Sequence, residues 1–209
     1  MSTKTAVRDL LDRAGTTYAE EAGIKLEDKP APLYRLLVLS VLLSTRIKAG
    51  IAVSAARELA EFGTPQKMRD ATWQQRVDAL GRGHYVRYDE STATSLGDGA
   101  EYLLDRYRGD LRKLRDEAGG GIKALKSKLQ EVKGLGPVGA DIFCREAQAV
   151  WPELRPYFDK KALSGAKKVG LPEDAKRLAE LVGDKDLARL AAALVRATLE
   201  KDVAEKVSA

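Results

Sequence analysis

The sequence is poor in the residues from which redox and metal chemistry are usually built. Its single cysteine, Cys144, excludes an intrachain disulfide and any cysteine-rich zinc or iron-sulfur site within the chain. Its single histidine, His84, excludes a histidine metal cluster and a Ser-His-Asp arrangement with several candidates. Long apolar runs are also missing. The most apolar, Leu36 to Leu43 (LLVLSVLL), is far too short to span a bilayer, and the opening MSTKTAVRDL has no signal-peptide segment. A cytoplasmic protein with no membrane partner is expected, nucleoid-associated if bacterial. An excess of one charge is weak too: 36 basic against 31 acidic residues gives a net +5, which permits a polyanionic partner without requiring one.

Clean strand-like alternation is hard to find, whereas apolar residues recur at helical spacing almost everywhere. The chain is expected to be all-α. A first helix is read over Thr5 to Glu21, then a polar Pro-containing stretch to Pro32. Leu33 to Ser44 is apolar nearly all round, as befits a central helix wrapped by others. Ile47 to Phe62 is amphipathic and ends at Gly63, Pro65 to Ala71 is short, and TWQQRVDALG starts with Thr72 and Gln75 at capping-box spacing and stops at Gly81. The loop Gly81 to Ser91 (GRGHYVRYDES) gathers His84, Tyr85, Arg87 and Tyr88, a basic and aromatic group able to stack on a base or grip a strand, although Tyr85 could instead pack beneath the loop. A helix over about Thr92 to Tyr107 follows, then a small one near Leu111 and a break at Ala118 to Gly121 (AGGG). Trp73 and Trp151 sit at helical-face positions that suit a core.

The stretch KGLGPVGADIF, Lys133 to Phe143, contains GLGPVG, which fits the G-x-G-x-x-G template. A dinucleotide cradle needs a strand leading into the glycines. Here the approach places Ile122, Leu125, Leu129 and Val132 on one helix face. The departure starts with Pro137, suited to a first helical turn, and carries the apolar stripe Ala140, Phe143, Cys144, Ala147 and Val150 until Pro152. An acid does stand 20 residues past Gly139, at Asp159, but WPELRPYF before it holds two prolines and no β-branched run. The unit therefore reads as helix, glycine hairpin, helix. Gly134, Gly136 and Gly139 permit positive φ and close backbone approach, Leu135 would plug the hairpin against its helices, and the second helix would aim its positive end at an anion. The spacing alone also allows a plain turn between helices with no ligand.

These residues resemble a known family. LQEVKGLGPVGADIF is similar to the helix-hairpin-helix of the endonuclease III-like DNA glycosylases, and YFDKKALSGAKKVGLP to the segment carrying their aspartate. LLVLSVLLSTRIKAG and GRGHYVRYDESTAT resemble the family's central helix with its DNA-contacting turn and its next interhelical loop. The resemblance covers about Leu33 to Leu171. It implies an all-α, two-lobed helix-hairpin-helix DNA glycosylase fold with a central cleft: one lobe from Glu27 to Ala147, the other from residues 1–26 and 148–209, with Asp159 at the mouth of the cleft. It implies a monomer that binds double-stranded DNA and flips a damaged or mispaired base out of the stack. Asp159 would be the catalytic carboxylate, answering the positive charge that builds on the sugar as the glycosidic bond breaks. DNA contacts would come from Lys133, Gly134, Leu135, Gly136, Val138, Gly139 and Arg46, with Lys160 and Lys161 on phosphates. Val138 stands where bifunctional members place a nucleophilic lysine, so a monofunctional enzyme is expected unless Lys133, Lys160 or Lys161 replaces it. The family's cluster cysteines are missing, so no iron-sulfur cofactor and no side-chain metal site are expected, while the hairpin carbonyls leave room for a monovalent or divalent ion. The alternative of a different class is a catalytically silent protein that binds damaged, bent or abasic DNA.

Overall fold

Helix succeeds helix on short turns, and no strand occurs among the described residues, which in this computed structural model are 3–200 and 202–204. Where one helix was expected over Thr5 to Glu21 there are two, α1 (Thr3–Ala14) and the single turn α2 (Tyr18–Glu21). The Gly15 N–H still closes on the Leu11 carbonyl at 2.8 Å, after which the chain leaves the helix until Tyr18. The central helix α3 (Pro30–Leu43) begins at Pro30 rather than Leu33, because a proline in the first turn loses no intrahelical N–H bond. It is buried nearly all round, from Leu33 to Leu42.

α4 (Ala49–Glu58) tightens into a 3-10 turn over Leu59–Phe62, and α5 (Pro65–Asp70) follows, capped by Thr64. α6 (Trp73–Arg82) opens with the expected capping box: Thr72 Oγ1 accepts the Gln75 N–H at 3.1 Å and Gln75 Oε1 accepts the Thr72 N–H at 2.8 Å. It runs through Gly81 rather than stopping there, since Arg82 pairs with Glu58 at 2.8 Å and with Glu61. The chain turns instead at Gly83, where a Cβ would lie 2.3 Å from the Ala55 Cα. Trp73 is 41% exposed on the first turn of α6 and donates its indole N–H to Thr94 Oγ1, so it is not the core residue expected; Trp151 is fully buried.

α7 (Asp89–Tyr107) starts three residues before Thr92, which shortens the preceding loop. After α8 (Leu111–Glu117) and α9 (Ile122–Leu129) comes α10 (Pro137–Ala147); it stops before Val150, which is no part of its stripe. α11 (Lys160–Lys168), α12 (Ala175–Ala179) and α13 (Leu187–Leu199) complete the chain.

The chain divides into two compact units, Ala19–Phe143 and Met1–Tyr18 with Cys144–Ala209. In the first, α4 and α8 pack on α3 while α5 and α6 pack on α7; in the second, α13 is the hub for α1 and α11. The boundaries fall earlier than the expected 26/27 and 147/148. At the first, Arg35 donates to the Gly23 carbonyl and Arg57 to that of Glu21, so residues 19–26 belong with α3 and α4. At the second, Arg145 and Gln148 already make their hydrogen bonds to Asp159 and Tyr157.

Candidate functional site

The glycine hairpin lies in the unit Ala19–Phe143. α9 ends at Leu129, Val132 and Leu135 fold inward, and the Leu135 N–H closes on the Val132 carbonyl at 3.1 Å. Leu135 is 3% exposed, so it is the expected plug. The three glycines differ in purpose. Of the three, only Gly134 uses the positive φ that glycine permits, at 86°, and a Cβ there would also lie 3.0 Å from the Ser95 Cβ. Gly139 makes room for the plug, since its Cβ would fall 2.6 Å from Leu135 Cδ1. A Cβ at Gly136 would meet nothing within 4 Å, so that face of the hairpin is open. Lys126 on α9 and Asp141 on α10 brace the two helices at 2.5 Å.

The first backbone bond into α10 runs from the Ala140 N–H to the Gly136 carbonyl at 3.0 Å. The N–H groups of Gly136 and Val138 have no backbone partner among the described residues, as the start of a helix dictates. Both residues are exposed, and so is Lys133. Open N–H groups at the positive end of a helix suit an anion. Gly134→Ala is expected to damage the hairpin twice, through left-handed strain and through the contact with Ser95, costing about 1–3 kcal/mol. Urea unfolding checks this, with wild-type stability as the contrary result.

Arg46 is exposed just beyond the end of α3. It shares with Tyr88 and Gly134 the wall of a pocket of about 420 Å³. The loop residues meet different fates. His84 is exposed with φ 64°, Arg87 lies over the Tyr88 ring at 5.2 Å, and Val86 is 65% exposed. Tyr85 cannot stack on a base: it is fully buried, with its hydroxyl donating to Thr45 Oγ1 at 3.0 Å, so it packs beneath the loop. The serines and threonines around this pocket were missed in the sequence, where they resemble ordinary helix-end residues.

Asp159 belongs to the other unit. It is the N-cap of α11: Oδ1 accepts the Ala162 N–H at 3.1 Å, and Oδ2 accepts from Arg145 Nη1 at 2.8 Å. The side chains of this pair are 5% and 8% exposed, so the carboxylate is a deeply set, charge-balanced group. Gln148, fully buried, fixes the loop before it by donating to the Arg145 and Tyr157 carbonyls and accepting the Tyr157 N–H. Burial pushes the Tyr18 phenol above its ordinary pKa, against the opposing charges of Arg196 and Arg145. Lys160 and Lys161 are exposed on the first turn of α11 and have no acidic partner among the described residues. Arg145 and Gln148 were not singled out in the sequence; a charge on a stripe next to Phe143 and Cys144 was the available signal.

Cys144, the one cysteine of the sequence, is fully buried. Among the described residues no group of three or more His, Cys, Asp or Glu could hold a metal ion, and no helix is long and apolar enough to cross a membrane.

No family model matches the sequence, and no curated protein matches it. Solved structures similar in fold include two endonuclease III-DNA complexes. One is described as a trapped endonuclease III-DNA covalent intermediate in an estranged-adenine complex: 16% identity over 94% of this chain and 86% of that one, with a TM-score of 0.50. The other, a non-covalent endonuclease III-DNA complex, gives 15% identity over the same shares and a TM-score of 0.51. With the helix order and hairpin described above, the chain has the all-helical, helix-hairpin-helix fold of endonuclease III.

Proposed function

We propose that the protein is a DNA N-glycosylase that grips duplex DNA through its hairpin and hydrolyses the bond between a flipped, damaged or mispaired base and its sugar. The observation that carries this is the cradle at the start of α10, where the N–H groups of Gly136 and Val138 are open and Lys133 is exposed a few residues before them, in a fold otherwise seen bound to DNA. Phosphate is the anion such a cradle suits. The carboxylate is Asp159. Two of its roughly four lone-pair directions are taken by Ala162 and Arg145, leaving the others to face positive charge on a deoxyribose. Water supplies the oxygen that bonds to C1′ as the base leaves. Val138, 59% exposed where a lyase needs an amine, argues against a Schiff base at the hairpin.

A specific observation favours a second reading. Asp159 caps a helix and neutralises a buried arginine, work that needs no substrate, so a silent DNA-binding protein would keep it as well. Single-turnover base release from duplexes carrying uracil, oxidised pyrimidines, 8-oxoguanine, alkylated purines and mismatches decides between them. Glycosylase action predicts release from at least one duplex, with strand breaks only after alkali and no covalent complex on borohydride treatment. Trapping by borohydride would move the chemistry to Lys133, Lys160 or Lys161, and absence of release alongside tight binding would establish the silent protein. Binding itself is expected to fall with salt at a slope of about −0.9 per neutralised phosphate; a flat dependence would remove the hairpin from the interface.

A further inference from the structure

The pocket of about 420 Å³ between the end of α3 and the start of α7 has room for a nucleobase with its sugar. Its walls are rich in hydroxyls, and most of their protons are already committed. Ser44 donates to the Val41 carbonyl at 2.7 Å, Thr45 to that of Leu42 at 2.8 Å, and Ser91 to that of Tyr88 at 3.1 Å. Tyr85 spends its one proton on Thr45, so where Thr92 Oγ1 approaches the same phenol at 3.3 Å, Thr92 is the donor. The result is a directed chain from Thr92 through Tyr85 and Thr45 to a backbone carbonyl. The receiving carbonyls of Val41 and Leu42 lie in the last turn of α3, where their backbone partners are long, the Ser44 N–H at 3.3 Å and the Thr45 N–H at 3.4 Å, so turning a hydroxyl round would give up the shorter of each carbonyl's two bonds.

What these hydroxyls offer the pocket is therefore lone pairs. Ser95 alone of the serines and threonines lining it makes no side-chain hydrogen bond among the described residues, and it sits against the hairpin at Gly134. No acidic side chain lines the pocket, and its one cation, Arg46, is exposed. A phosphate, all acceptor, is a poor match for such a wall. A planar group with N–H donors is a good one.

We propose that this pocket seats an unstacked nucleobase by its amino edge, adenine or cytosine or a lesion that keeps that amino group, in preference to the keto edge of thymine or uracil. Adenine N6 and cytosine N4 present donors where thymine O4 presents an acceptor. The proposal rests on the DNA reading above and adds the substrate class. Arg46 and the hairpin N–H groups then receive the flanking phosphates.

Two arms test it on the full chain. Titration with free deoxyadenosine, deoxycytidine and thymidine, read from the amide resonances of Ser44, Thr92 and Ser95, should move them with the first two at concentrations where thymidine does not. Duplexes with one bulged nucleotide should bind about tenfold more tightly with adenine or cytosine in the bulge than with thymine. Ser44→Ala combined with Ser91→Ala, which removes acceptors without adding bulk, should close that gap and leave the fully paired duplex bound as before. Equal response to all three nucleosides, or a gap that survives the double variant, overturns the proposal. Loss of paired-duplex binding would defeat the hairpin reading instead, and the nucleoside arm would still decide the pocket.

Discussion

Asparagine at position 159 is expected to lower base release by about 10²–10³-fold and to destabilise the protein, and the two effects can be separated. Asparagine keeps an oxygen for the Ala162 N–H, so the cap on α11 survives. It removes the charge that balances Arg145, whose side chain is 5% exposed. Breaking one side of a buried pair costs about 3–5 kcal/mol, because the remaining ion stays buried without its partner. Arg145→Gln added to Asp159→Asn restores neutrality and should recover most of that loss in urea unfolding. It should recover none of the base release. If release returns with stability, Asp159 acts only through folding; if release persists in Asp159→Asn itself, another group carries the chemistry.

The contrast between Asp159 and Arg145 shows what the sequence could reveal. A carboxylate before KKALSGAKK has a local signature, since an N-cap is defined by the residues just after it. Arg145 has the opposite character. A basic residue in the last turn of a helix is what the helix dipole favours at a solvated end, and only a partner 14 residues further along, brought back by the Gln148-held loop, turns it into half of a buried pair. The hairpin was legible for the same reason as the cap: apolar spacing, a proline at the start of α10 and glycines between are all local. Loop residues were not. Gly83 settles against Ala55 and His84 turns left-handed, and together they drive Tyr85 inward, which decides between the two placements that composition left open. The pocket hydroxyls were hidden because serine and threonine at helix ends are ordinary caps until the ends of α3 and α7 meet.

Gly165→Ala is expected to be the most damaging single methyl group in the unit that carries Asp159. A Cβ at Gly165 would lie 1.8 Å from the Leu194 carbonyl oxygen, so α11 and α13 touch backbone to backbone. No side-chain rotation relieves such a contact; the helices must part. Overpacking costs about 1–3 kcal/mol when side chains can adjust, and a fixed carbonyl places this variant at or above the upper end. Because α11 starts at the Asp159 cap, its displacement also moves the carboxylate, and a shift of about 1 Å is enough to lose on the order of 10²-fold in rate. The hairpin belongs to the unit Ala19–Phe143, so affinity for paired duplex should hold where the protein remains folded. Urea unfolding, single-turnover release and duplex anisotropy on one preparation read the three consequences. Wild-type stability would mean that α11 and α13 pack less closely than described, whereas lost stability with wild-type release would detach the chemistry from the position of α11, and with it from Asp159.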